Sequence, residues 1–88
     1  MPLPLTVYGA TDCDDTERTC NRLRVLGAPF REVNIDQDAE AEHFVIFING
    51  GHRSTPTLVF GAGNFKLIVT EPTEAELDDA LARAGYAR

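Results

Sequence analysis

The sequence predicts an α/β fold with the element order β-α-β-α-β-β-α and a four-stranded mixed sheet. Short runs of β-branched, apolar and aromatic residues alternate with longer segments whose apolar residues recur every three or four positions. A strand, a helix and a second strand come first, and such a unit crosses over right-handed to give parallel strands. Two later strands are separated by only a few glycine-rich residues, which predicts an antiparallel hairpin.

The first β-α-β unit covers residues 5–35. Residues 5–8 form a strand closed by Gly9, and Thr11 or Asp12 is the expected cap of the following helix. Residues 30–35 form the second strand, because Gly27 and Pro29 end the helix before it. The helix over residues 13–26 has its less polar residues at steps of three and four, which predicts one buried face made of Thr16, Thr19, Cys20, Leu23 and Leu26.

The remaining elements follow from caps and turns. Asp36 or Asp38 caps a second helix that ends at residues 49–51 and turns four apolar residues to the core, namely Ala41, Phe44, Val45 and Ile48. Residues 57–60 and 65–69 form the hairpin, joined by residues 61–64. Residues 73–76 form a capping box at the start of the last helix, which buries Leu77, Ala80, Leu81 and Ala84.

The length and composition restrict the classes of protein to consider. At 88 residues the chain is expected to form one domain, residues 1–88. A formal charge of −6 argues against a nucleic-acid partner, which basic clusters would bind. The first residues carry neither a positive charge nor a long apolar run, so we expect no signal peptide, no membrane span and a cytoplasmic location. Two cysteines, with no Cys/His spacing typical of zinc, favour reduced thiols and no metal.

Cys13 is the strongest candidate for chemistry. It follows a strand and opens a helix, where free amides and the positive end of the helix dipole favour a thiolate. The alternative is a cysteine that only fills space. Thr16 lies one turn further on, and its hydroxyl either donates to the Cys13 sulfur or simply faces the core.

Acidic residues crowd the same cysteine. Three carboxylates at about 7 Å in water would each oppose the thiolate by roughly 0.6 kcal/mol. A helix terminus contributes only about 0.3–1 kcal/mol, or ~2 kcal/mol at best. Arg18 and Arg53 are the cations that would offset the acids. The sequence therefore leaves open whether Cys13 is acidic enough to react in the company of Asp12, Asp14, Asp15 and Glu17.

The other polar candidates have weaker support. Cys20 lies two turns after Cys13, roughly 10 Å along the helix axis, so the two cannot form a disulfide unless the helix unwinds. A buried, inert thiol is the favoured interpretation of Cys20, and a resolving cysteine reached by local unfolding is the alternative. Local sequence predicts that Pro56 is a turn proline, and that His43 and His52 are exposed.

Over nearly its whole length the chain resembles the glutaredoxin family, and within it the mycoredoxins. The likeness rests on the element order, on Cys13 at the start of the first helix and on a Thr-Pro pair before the third strand. The segments that carry it are residues 7–8, 32–35, 49–57 and 70–73. The resemblance implies a thioredoxin-like three-layer fold.

The resemblance also implies a set of roles. Cys13 is the nucleophile and Pro56 is cis. The Thr55 backbone pairs with the peptide-like chain of a bound thiol, and Thr70 and Glu71 line the pocket for this low-molecular-weight thiol. We expect Arg53 to belong to the same thiol-binding group. The small thiol acts as co-substrate, and no cofactor is expected. The partners are this thiol and mixed disulfides on proteins, and the chain is expected to act as a monomer.

The sequence departs from the family pattern at its centre. The usual Cys-x-x-Cys is replaced by Cys13-Asp14-Asp15-Thr16, so a dithiol route through a second cysteine is lost and a monothiol route, with Thr16 beside the nucleophile, remains. The acidic pair also disfavours an anionic thiol such as glutathione more than a less charged one.

Three hypotheses follow. The first is a monothiol thiol–disulfide oxidoreductase acting on mixed disulfides between proteins and a small thiol. The second is a redox-silent binding module whose acidic rim recruits a basic partner. The third, with least support, is an iron–sulfur carrier that shares a cluster between two chains.

Overall fold

The computed structural model describes residues 2–86. Its order is the predicted β-α-β-α-β-β-α, and the elements are β1 Leu5–Gly9, α1 Asp14–Val25, β2 Arg31–Asn34, α2 Ala39–Ile48, β3 Thr57–Ala62, β4 Phe65–Thr70 and α3 Glu74–Arg83. The strands form one sheet in the order β2-β1-β3-β4. β1 and β2 are parallel, and the other two pairings are antiparallel. The predicted mixed sheet is confirmed.

Three layers result from the alternation of side chains along the strands. Val7 on β1 points to the main core, which holds the buried residues of α1 and α3, including Leu23 and Leu81. The next residue, Tyr8, points to the opposite face and packs with Val45 on α2. Since successive strand residues face opposite sides, the sheet separates α1 and α3 from α2.

The helix that carries Cys13 begins differently from the prediction. Neither Thr11 nor Asp12 caps it: Cys13 itself occupies the N-cap position, and it makes no side-chain capping bond. The Thr11 amide is instead bound by the carboxylate of Asp36, at 2.8 Å. At the other end Gly27, with a φ of 71°, closes the helix, and the Ala28 amide donates to the Leu23 carbonyl in a Schellman arrangement.

The ends of the other helices and strands lie close to the predicted positions. Asp38 caps α2, and Thr73 forms the capping box of α3 with Glu76. β2 is shorter than expected at both ends. The hairpin strands are longer than expected, so the turn reduces to Gly63-Asn64, a two-residue connection that suits paired strands.

Candidate functional site

The Cys13 sulfur lies where the start of α1 meets the loop before β3. Its side chain is half-buried, and Sγ lies 3.4 Å from the Thr55 hydroxyl. The thiol also donates to the Thr55 carbonyl at 3.8 Å. The Glu17 amide donates to the Cys13 carbonyl, so the backbone of this residue already belongs to the first helical turn. The cysteine is thus held by its helix on one side and by Thr55 on the other.

Hydrogen bonds hold the Cys13 pKa below the ordinary value of a thiol. Partial burial of the sulfur raises the pKa, but the hydroxyls of Thr16 and Thr55 and the amides of Thr16 and Asp15 outweigh it. Each of these groups donates to a thiolate more strongly than to a thiol. The structure therefore adds hydrogen-bond donors around Cys13 that favour the charged form of its sulfur.

Thr16 is placed for this role. It is only 4% exposed, and among residues 2–86 its Oγ1 has no hydrogen-bond partner. A hydroxyl hydrogen rotates freely, so ionisation of the sulfur gives it a charged acceptor. Below Thr16 the backbone of Gly9 passes so closely that a Cβ on Gly9 would lie 2.3 Å from Thr16 Cγ2.

The acidic residues around Cys13 point mostly to water. Asp14, Asp15 and Glu17 are exposed. Arg18 pairs with Asp15 at 2.6 Å, between two well-exposed side chains. Solvent and salt screen charges in such positions, so these carboxylates oppose the thiolate less than the hydrogen bonds favour it.

The loop before β3 forms the second wall of the site. The Thr55-Pro56 peptide bond is cis, as the resemblance implied and as local sequence alone did not predict. The Pro56 carbonyl accepts a hydrogen bond from the Glu71 amide at 2.8 Å. Thr70 stands opposite Thr57 in the β3–β4 register. Thr55 thus contacts the Cys13 sulfur directly, whereas Thr70 and Glu71 are connected to this loop through strand pairing and through the carbonyl of the buried Pro56.

Two residues that flank the site adopt unusual backbone angles. Within residues 2–86 the non-glycine residues with positive φ are Asp12, at 56°, and Glu71, at 47°. One directly precedes Cys13, and the other follows Thr70. Residues in this left-handed region are concentrated at functional sites, because surrounding contacts must hold them there.

Asn49 organises the same wall, and sequence reasoning did not single it out. Its side-chain Nδ2 donates to the Val45 carbonyl at 2.8 Å and to the Thr57 hydroxyl at 3.1 Å. Its Oδ1 accepts from the Thr70 hydroxyl at 2.8 Å. The Thr57 hydroxyl in turn donates to the Ser54 carbonyl. Asn49 therefore ties the end of α2 to the strands that carry the Thr55 loop and Thr70. The signs in the sequence were its place at the end of a helix before two glycines and its position in the segment 49–57, which carries the family resemblance.

Arg53 is engaged with carboxylates of the β2–α2 region. Its guanidinium pairs with Asp36, and its Nε donates to Glu42 at 2.6 Å. Hydrogen bonds to its carboxylate hold the pKa of Asp36 below the usual range. The backbone amide of Thr11 makes the larger contribution, and the Arg53 side chain makes the next. Asp36 thus links the loop before Cys13 to the segment before Thr55. A thiol-binding role for Arg53 stays a prediction.

Cys20 differs from Cys13 in every respect that matters for reactivity. It is 2% exposed, and burial, with a smaller contribution from Glu32, raises its pKa to about 11. The thiolate is the reactive form, so a thiol of this kind is inert near neutral pH. The burial expected for Cys20 is confirmed, and His43 and His52 are exposed as expected.

No group of three or more His, Cys, Asp or Glu side chains in the described part of the chain is arranged to hold a metal ion. None of the helices in residues 2–86 combines the length and the apolar character that a membrane crossing requires.

The fold and the site together define a class of protein: a thioredoxin-fold protein with a partly exposed cysteine at the start of its first helix, beside a cis-proline loop. A model of the glutaredoxin family matches residues 5–64. Proteins of two Mycobacterium tuberculosis strains, H37Rv and CDC 1551, whose names assign them provisionally to the glutaredoxins, are each 30% identical over 79 residues, which is 90% of this chain and 90% of theirs. The chain belongs to the glutaredoxin family.

Solved structures agree on the fold. A mutant of a thioredoxin-like protein superposes with a TM-score of 0.70 at 21% identity, covering 91% of this chain and 95% of that one. Buckwheat glutaredoxin, solved in complex with glutathione, gives 0.65 at 20% identity, covering 98% and 83%. Fasciola hepatica thioredoxin gives 0.69 at 19% identity, covering 94% and 81%. The family and the fold support a role in thiol–disulfide exchange.

Proposed function

We propose that the protein is a monothiol oxidoreductase that removes a small thiol from mixed disulfides on proteins. The observation that carries the proposal is the contrast between the two cysteines. Cys13 is accessible and has a lowered pKa, whereas Cys20 is buried and has a pKa of about 11. Thr16 stands where a resolving cysteine would be, so a single sulfur performs the exchange.

The reaction has two balanced steps. In the first, the Cys13 thiolate attacks the small-thiol sulfur of the mixed disulfide, and the protein leaves as a thiolate that takes up a proton. In the second, the thiolate of another small-thiol molecule attacks the small-thiol sulfur that is now bonded to Cys13. This releases the Cys13 thiolate and a small-thiol disulfide. The protein cysteine is reduced, and one free small thiol is oxidised as it forms a disulfide with the small thiol removed from the protein.

The chain's own residues supply binding and charge stabilisation. The hydroxyls of Thr16 and Thr55 stabilise Cys13 both as nucleophile and as leaving group. We expect the Thr55 backbone, beside Pro56, to pair with the small thiol, and Thr70 and Glu71 to line its pocket. A reducing compartment such as the cytoplasm would supply that thiol, and the exchange requires only a monomer.

Adduct formation tests the proposal. The protein is treated with glutathione disulfide or with uncharged hydroxyethyl disulfide, and the adducts are located by mass spectrometry. We expect one adduct, on Cys13, which persists in Cys20→Ser and disappears in Cys13→Ser. Less adduct from the anionic disulfide would agree with the acidic surroundings of Cys13. If no Cys13 adduct forms with either reagent across the physiological pH range, the protein is not an oxidoreductase of this kind.

A further inference from the structure

A groove of about 410 Å³ opens beside Cys13, between the start of α1 and β2. Its lining includes Cys13, Thr16 and four carboxylates, those of Asp12, Asp14, Glu17 and Glu32. None of the residues expected to bind the small thiol belongs to the described lining. The groove therefore reaches the same sulfur from a different side.

The charge in this groove is strongly one-sided. Among the described lining residues the only cation is Arg24, which lies 3.7 Å from Glu32. The other three carboxylates belong to the loop before Cys13 and to the first turn of α1, and all three are exposed. A concave surface lined by one sign of charge concentrates ligands of the opposite sign.

A second feature of the groove points to a ligand. Thr16 lines the groove and is only 4% exposed. Its Oγ1 has no hydrogen-bond partner within residues 2–86. While Cys13 is a thiolate, the sulfur attracts this hydroxyl. As Cys13 attacks the mixed disulfide, the negative charge passes from its sulfur to the departing protein cysteine, so the hydroxyl is released while that protein still lies beside it. Buried polar groups rarely remain unpaired, so an occupant is expected.

We infer that the groove binds the protein half of the substrate, and that the preferred substrates carry lysine or arginine next to the disulfide-bonded cysteine. The inference rests on the proposed function and gives it a substrate class. The small thiol occupies the side of Thr55 and Thr70, while a basic peptide segment lies along the carboxylates. Because these carboxylates are exposed, they act mainly on the rate of encounter, and their effect is sensitive to salt.

The experiment uses two peptides that differ only in the charges beside one cysteine: two lysines or two glutamates. Each is prepared as a mixed disulfide with the uncharged hydroxyethyl thiol, so that the small-thiol half is the same. We expect kcat/KM to be about tenfold higher for the lysine peptide at ~0.01 M ionic strength. The ratio should approach one at ~1 M, where the Debye length falls to about 3 Å.

Matched variants locate the effect. Glu17→Gln with Glu32→Gln removes two groove charges, and should lower the lysine-to-glutamate ratio severalfold. Glu40→Gln with Asp79→Asn makes the same change in net charge outside the groove lining, and should leave the ratio as it is. A ratio near one at low salt, or a ratio that falls equally in both double variants, would overturn the inference although the exchange reaction itself proceeds.

Binding without turnover separates this inference from the proposed function. Cys13→Ser is mixed with the lysine peptide in a form that lacks the disulfide, and amide chemical shifts are followed by NMR. Shift changes at Glu17 and Glu32 that disappear at high salt support the groove even if neither peptide is turned over, in which case only the oxidoreductase proposal fails. If those amides do not move, or the glutamate peptide moves them equally, the inference is wrong.

Discussion

Gly9→Ala tests how the strand below the site positions Thr16. The new Cβ would lie 2.3 Å from Thr16 Cγ2, far inside van der Waals contact, while Gly9 and Thr16 are both buried. Gly9 is not among the residues with positive φ, so the cost arises from packing rather than from the backbone. Overpacking of this kind costs ~1–3 kcal/mol. We expect about 2 kcal/mol, and hence a fall in Tm on the order of 10 °C.

Urea unfolding of single and double variants measures this contact. Thr16→Ser removes the methyl group that meets the new Cβ and by itself should cost about 1 kcal/mol. Combined with Gly9→Ala, it should cost at least ~1 kcal/mol less than the sum of the two single changes. Thr16→Val keeps a methyl group at both branches and should give no such relief. Costs that add within ~0.5 kcal/mol for Gly9→Ala with Thr16→Ser would refute the close approach of strand and helix.

Three further changes test other parts of the account. Thr55→Val should raise the Cys13 pKa, read from thiolate absorbance against pH, because one hydroxyl donor is lost; Thr55→Ser should not, and equal values in both variants would exclude this bond. Thr73→Ala should lower the unfolding free energy by ~1 kcal/mol through loss of the α3 cap, with Thr73→Ser retaining most of it; no loss in urea unfolding would contradict the capping box. The folded-state pKa of Asp36 is lowered, so its ionised form stabilises the fold above the unfolded-state pKa of ~3.9, and this contribution is lost as the pH falls through the lower folded-state value. The stability difference between wild type and Asp36→Asn should therefore shrink in acid, and a difference independent of pH would disprove the linkage.

Features set by neighbouring residues could be predicted from the sequence. The α3 capping box needs only Thr73 and Glu76, which lie three residues apart. The buried face of α1 follows from helical spacing alone. The hairpin followed from its glycines, although the strands extend beyond the prediction because pairing continues to Ala62 and Phe65.

Features set by distant residues could not be predicted. The cap expected from Thr11 or Asp12 failed because α1 begins only at Asp14, and the Thr11 hydroxyl accepts a hydrogen bond from the side chain of Asn34, 23 residues away. Asn49 was missed because two of its partners, Thr57 and Thr70, come from other strands. The same holds for the acidity of Cys13. The nearby carboxylates are visible in the sequence, but the Thr55 hydroxyl that helps to offset them is 42 residues away.

The central claim is that Cys13 exists largely as a thiolate under conditions in which an ordinary cysteine does not. The rate of alkylation of Cys13 as a function of pH, with modified peptides identified by mass spectrometry, measures this most directly. We expect a midpoint clearly below ~8.5, the value of a free thiol, and no alkylation of Cys20 in the folded protein over the same range. A Cys13 midpoint at or above ~8.5 would contradict it.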